Sequence, residues 1–127
     1  MLPQSIHATR FVLHGLEMPL AKQLTEAVSP SGNVDCSDGS IRDCVALAER
    51  VGARVIFCDS CPRHYRRLLE ALRRKRLGVP VVVVSRLPEV SEWLDAMEAG
   101  AMDYCGAPFE PRQIRWLLEL TTLPSAA

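Results

Sequence analysis

Five short apolar runs alternate with five amphipathic stretches along this chain, and that alternation leaves few folds open. The runs are Arg10 to His14 (R-F-V-L-H), Asn33 to Ser37, Arg54 to Cys58 (R-V-I-F-C), Pro80 to Ser85 (P-V-V-V-V-S) and Ala101 to Cys105. The second is polar enough to be a sheet edge. The fourth is the densest in β-branched residues, which fit a pleated, buried surface. Between them apolar residues recur at helical spacing. From Pro19 the positions are Leu20, Leu24, Ala27 and Val28, and Ser29-Pro30-Ser31-Gly32 breaks the pattern. After Asp38-Gly39 or Ser40 come Ile41, Cys44, Val45, Leu47 and Ala48, stopped by Gly52. Leu68, Leu69, Leu72 and Leu77 mark a third helix, while Val90, Leu94 and Met97 stripe a fourth that ends at Gly100. Ile114, Leu117, Leu118 and Leu120 belong to the last.

Strand-helix alternation this strict predicts a parallel sheet covered by helices on both faces. Five such units within 127 residues fit a flavodoxin-like (βα)5 three-layer sandwich with strand order 2-1-3-4-5. The length suits one domain, residues 1–127, with a core over about residues 9–121. At 48% hydrophobic but only 6% aromatic, that core should be mainly aliphatic. In such sheets function gathers at the carboxyl ends of the strands, here near His14, Asp59, Ser85 and Cys105 to Ala107.

Charge excludes some partners. Fifteen Lys and Arg balance fifteen Asp and Glu, so no global field draws the chain to nucleic acid or an acidic membrane. No apolar run is long enough to span a bilayer, and Met1 to Arg10 lacks the basic-then-apolar order of an export signal. The expectation is a cytoplasmic protein whose five cysteines are reduced thiols, several buried as small hydrophobes.

The segment Ala99-Gly100-Ala101-Met102-Asp103-Tyr104-Cys105-Gly106-Ala107-Pro108-Phe109 resembles the closing signature of bacterial response-regulator receiver domains, G-A-x-D-[YF]-x-x-K-P-F. The resemblance extends over nearly the whole chain and is strongest from Arg54 onward. It implies a non-enzymatic module of two-component phosphorelay signalling. In that family an Asp ending the third strand accepts a phosphoryl group from a histidine kinase, and two acids after the first strand help it hold Mg²⁺. A hydroxyl ends the fourth strand, an aromatic lies on the fifth, and a Lys follows it. The matching positions are Asp59 as phosphoacceptor, Ser85 as switch hydroxyl, Tyr104 as switch aromatic and Ala107 where the Lys would stand.

The departures fall on the chemistry. A methyl at Ala107 offers phosphate no charge-assisted contact. After Phe11-Val12-Leu13 come His14 and Gly15, or Leu16 and Glu17 if Pro19 is aligned, so Glu17 and Asp59 are the Mg²⁺ candidates. Asp59-Ser60-Cys61-Pro62 also brings its Pro one place early, and no Gly follows before the helix. Arg86, beside Ser85, is a candidate substitute for the absent Lys. The expectation is a pseudo-receiver acting through protein contact, with a weakly phosphorylated Asp59 as the alternative.

Plainer readings stand beside these. Asp59 and Ser85 can simply end strands, and Tyr104 can be a half-buried ring with its hydroxyl in water. His14 suits a structural role better than metal ligation. Cys58 and Cys61 form a C-x-x-C that could be a thiol or metal site, yet Cys58 should be buried in a strand. The basic run Arg73-Arg74-Lys75-Arg76, with Arg63, His64, Arg66 and Arg67 before it, reads as the solvated face of a helix and its exit loop. Trp93, Tyr104 and Trp116 are candidate anchors for a partner or a homodimer on the face of the fourth helix, fifth strand and fifth helix.

Overall fold

Alternation along each strand sorts the core into two layers. The computed structural model describes residues 9–121, so most of the N-terminal stretch weighed for an export signal lies outside them. Strands β1 (Arg10–His14), β2 (Asn33–Ser37), β3 (Val55–Asp59), β4 (Val81–Ser85) and β5 (Asp103–Gly106) alternate with helices α1 (Met18–Val28), α2 (Ile41–Val51), α3 (Pro62–Arg74), α4 (Val90–Ala99) and α5 (Pro111–Leu120). The five strands form one parallel sheet in the order β2-β1-β3-β4-β5. On one face Phe11, Leu13, Val55, Phe57, Val82 and Val84 pack against Leu20, Leu24 and Val28 of α1 and Ile114, Leu117 and Leu118 of α5. On the other, Val12, Ile56, Cys58, Val81 and Val83 meet Cys44, Val45 and Ala48 of α2 and Tyr65, Leu68 and Leu72 of α3. The expected sandwich and strand order are both present, with polar β2 at an edge.

Local chemistry sets the helix ends. Ser40 caps α2 with a reciprocal capping box: its hydroxyl accepts from the Asp43 backbone N–H, and the Asp43 carboxylate accepts from that of Ser40. Gly52 closes α2 at φ +63°, the left-handed conformation that favours glycine. Pro62 and Pro111 open α3 and α5, where a missing N–H costs nothing. Among the described residues, no helix is long and apolar enough to cross a membrane.

Two sequence expectations need correction. Leu77 lies beyond the end of α3, although it still packs on the core from the following loop. The apolar stripe of α4 points the wrong way: Val90 is 70% exposed, Leu94 55%, Trp93 43% and Met97 38%, while the one buried residue of the helix is Ala96. Ala96 and Ala99 meet the core instead, with polar side chains beside them. Glu92 and Asp95, half-buried, are held by hydroxyls from the sheet and from α3, and those bonds fix the rotation of the helix.

Candidate functional site

The carboxyl ends of β1, β3 and β4 surround a cleft of about 700 Å³ lined by Gly15, Glu17, Asp59, Cys61, Ser85 and Arg86 among others. Asp59 sits at its floor as the last residue of β3. The Cys58 thiol lies 3.4 Å from Asp59 Oδ1 and donates to it, while His64 Nδ1, on the first turn of α3, lies 2.8 Å from Oδ2. Gly15 makes this placement possible. It has φ +75°, and a Cβ there would stand 2.9 Å from Asp59 Oδ1.

Ser85 and Tyr104 converge on a residue that sequence reasoning missed. The buried Ser85 hydroxyl donates to Glu92 Oε1 at 3.3 Å and accepts from the Leu87 backbone N–H at 3.2 Å. The Tyr104 hydroxyl donates to the same Glu92 oxygen and accepts from the Glu89 N–H at 3.3 Å. Partial burial, together with the Glu92 hydrogen bond, raises the Tyr104 pKa. Its hydroxyl, which one sequence reading left to water, is tied to α4. Glu92 lies seven residues after Ser85 on the first turn of the next helix, and that offset was the available signal.

The remaining candidates separate. Glu17 stands at the N-cap position of α1 without a capping bond and turns to Arg86, with 3.4 Å between Oε1 and Nη1, so the two form an ion pair at the cleft. His14 is buried, its Nδ1 3.2 Å from Ser37 Oγ, and desolvation lowers its pKa although Asp59 pulls the other way. Ala107 packs its methyl against the core beside Phe109, and its N–H donates to the Ser85 carbonyl.

The two thiols of the C-x-x-C are free and lie in different surroundings. Cys58 is buried in β3, and burial with the neighbouring Asp59 charge raises its pKa strongly. Cys44 and Cys105 are likewise buried, their thiols pushed up to about 12. Cys36 is exposed and Cys61 half-buried. A thiol reagent, applied with a chelator present, is thus expected to label these two in the native protein and the other three only on unfolding. Peptide mapping checks this. Rapid labelling of Cys58 would contradict its burial.

Part of the basic cluster is engaged with neighbouring acids. Arg66 pairs with Asp95, Arg74 Nη2 lies 3.5 Å from Glu70, and Lys75 Nζ lies 3.2 Å from Glu49. Asp95 also accepts from the Tyr65 hydroxyl, pinning α4 to α3.

Solved structures share this fold. A CheY-like protein (TadZ) from Pseudomonas aeruginosa superimposes with a TM-score of 0.78 at 22% identity, over 89% of this chain and 98% of that one. The chain has the receiver-domain fold. The chemotaxis protein CheY4 of Vibrio cholerae matches at a TM-score of 0.71 and 14% identity, over 90% of this chain and 98% of its own. The receiver domain of the Francisella response regulator 1452 gives 0.67 at 18%, over 89% and 95%. No family model and no curated protein sequence matches the chain.

The receiver fold implies a Mg²⁺ site at Asp59, and the donor set does not fit one. Mg²⁺ requires octahedral oxygen ligation and is usually held through one or two carboxylates with waters. Here the β1 end offers a glycine beside Asp59, Glu17 is paired with Arg86, and Asp59 Oδ2 already takes a hydrogen bond from His64. A sulfur and an imidazole flank the carboxylate where hard oxygens are needed.

Proposed function

We propose that this chain is a receiver-like module of two-component signalling whose phosphorylation site is impaired and which acts mainly through protein contact. The observation that carries the reading is the rotation of α4. Its polar face turns inward, where Glu92 takes the hydroxyls of both Ser85 and Tyr104, and its apolar face turns to solvent. In a working receiver the hydroxyl at the Ser85 position must be free to donate to a phosphoryl group, and the ring at the Tyr104 position free to follow it. Here a fixed carboxylate answers them, with the α4 surface held in one arrangement.

The absent charges support the same reading. An aspartyl-phosphate adds negative charge beside Glu17 and Glu92, and a positioned cation would have to offset it. Ala107 supplies none, and Arg86 is turned to Glu17. The partner is a histidine kinase or another cytoplasmic signalling protein, or a second copy docking on α4, β5 and α5. The row Val90, Trp93, Leu94 and Met97 follows one helical face, the pattern of a buried contact surface.

The impairment is tested by restoring what is missing. Ala107→Lys, incubated with Mg²⁺ and a small phosphodonor, is expected to give no phosphoryl adduct by intact mass, because the acids for the metal are still lacking. An adduct in this variant would show that the lost Lys alone silences Asp59 and that the rest of the site works.

A further inference from the structure

Three side chains of different chemistry meet at the start of α3. Asp59 ends β3, Cys61 is the N-cap of α3, and His64 stands one turn further on. One oxygen, one sulfur and one nitrogen from them all lie within 4.8 Å of one another. The spacing D-x-C-x-x-H produces this: the strand end and the loop bring Asp59 and Cys61 together, and the helical turn carries His64 back over them.

We propose that Asp59, Cys61 and His64 form a site for a borderline-soft divalent cation of the Zn²⁺ class. Mixed O, S and N donors suit Zn²⁺, which takes three protein ligands and leaves a fourth tetrahedral position to water. The surroundings aim the donors. Cys58 Sγ–H holds Asp59 Oδ1 at 3.4 Å, which leaves Oδ2, the oxygen nearest His64, for the cation. Cys61 stands at the N-cap of the thirteen-residue helix α3, where its side chain makes no capping hydrogen bond and its sulfur is open to a cation. On binding, the Cys61 thiol releases its proton to solvent, and the proton that His64 Nδ1 shared with Asp59 passes through solvent to Nε2, so that Nδ1 is the ligand.

The C-x-x-C reading placed a thiol site on Cys58 and Cys61. The geometry keeps Cys61 and replaces Cys58, which is buried and supports Asp59, with His64. The site does not depend on the proposed loss of phosphorylation, since it concerns a different ligand and different donor atoms. If occupied, it ties the loop after β3 to the first turn of α3 and takes the Asp59 carboxylate out of phosphoryl chemistry.

The test uses the full reduced chain and Zn²⁺ itself, in competition with a chromogenic chelator, with Co²⁺ as spectroscopic probe. The expected result is one Zn²⁺ per chain and a thiolate-to-Co²⁺ charge-transfer band in the near ultraviolet. Cys61→Ser should abolish that band, and both Cys61→Ser and His64→Gln should weaken Zn²⁺ binding by about tenfold or more. Both positions are at least partly exposed, so these variants should keep the wild-type circular dichroism. Bound Zn²⁺ should also shield Cys61 from alkylation while leaving Cys36 reactive. Binding that is absent, or unchanged in both variants, or that leaves Cys61 as reactive as Cys36, overturns the site.

Discussion

Phe57→Ala is expected to lower the free energy of unfolding by about 3–5 kcal/mol. Phe57 is fully buried in β3, which lies at the centre of the sheet between β1 and β4. Its ring centroid stands 6.5 Å from that of Phe11 at a 59° tilt. These two rings and the aliphatic residues of α1 and α5 make up most of one core layer. With aromatics scarce in the chain, no neighbour can swing in to fill the void, and a close-packed interior relaxes only partly. Domains of this size are stable by roughly 5–15 kcal/mol, so the loss takes a large share of the total. Urea denaturation followed by far-ultraviolet circular dichroism measures it. Trp116→Ala, at an exposed site on α5, should fall within about 0.5 kcal/mol of wild type in the same experiment. A loss under about 1 kcal/mol at Phe57 would mean that this layer is not the packed core described here.

Leu94→Asp is expected to leave folding intact and abolish association through α4. Its side chain is more than half exposed in the isolated chain, so a carboxylate there stays in water when the protein is alone. In an assembly the same position would be covered by the partner. The variant then loses about 1.5–3 kcal/mol of apolar burial and buries an unpaired carboxylate besides. Together these should raise the dissociation constant at least about a hundredfold. Sedimentation velocity over a concentration series reads the effect: wild type should move from monomer to dimer, and Leu94→Asp should stay monomeric. A wild-type chain that remains monomeric throughout would exclude a second copy as the occupant and leave the kinase or another signalling protein. Equal association of both proteins would place the interface away from α4.

How far the sequence leads depends on what each residue is packed against. Strands, caps and layers are legible because they follow local rules: β-branched runs make strands, Ser40 and Gly52 bracket α2, and the polar composition of Asn33–Ser37 puts β2 at an edge. Asp59, Ser85 and Tyr104 are legible as well, since strand ends mark where side chains of different units meet. The rotation of α4 is not. Its apolar residues recur at helical spacing as a core stripe would, and periodicity cannot tell a face that meets the core from one that waits for a partner. What sets the rotation is the pair of acids, Glu92 and Asp95, bonded to hydroxyls on β4, β5 and α3 that are distant in sequence. His64 is hidden for a related reason. In the sequence it sits among arginines and reads as part of a basic surface, while in the fold it reaches over the strand end to Asp59.

The missing Lys at Ala107 and an acid pair reduced to Glu17 at most would reinforce one another. A site that kept the acids and lost the Lys would still bind Mg²⁺. A site with the Lys and no acids would hold a cation beside an uncoordinated carboxylate. With the Lys absent and Glu17 paired with Arg86, Asp59 has hydrogen bonds from Cys58 and His64 among the described residues.

Whether the phosphorylation site is silent is decided most directly by intact-mass spectrometry of the wild-type chain after incubation with Mg²⁺ and a small phosphodonor, with Asp59→Asn in parallel. The expected spectrum shows the unmodified mass in both samples, from protein whose circular dichroism is that of the folded chain. A phosphoryl adduct on wild type that disappears in Asp59→Asn would contradict the pseudo-receiver and make the domain a genuine phosphorylation switch.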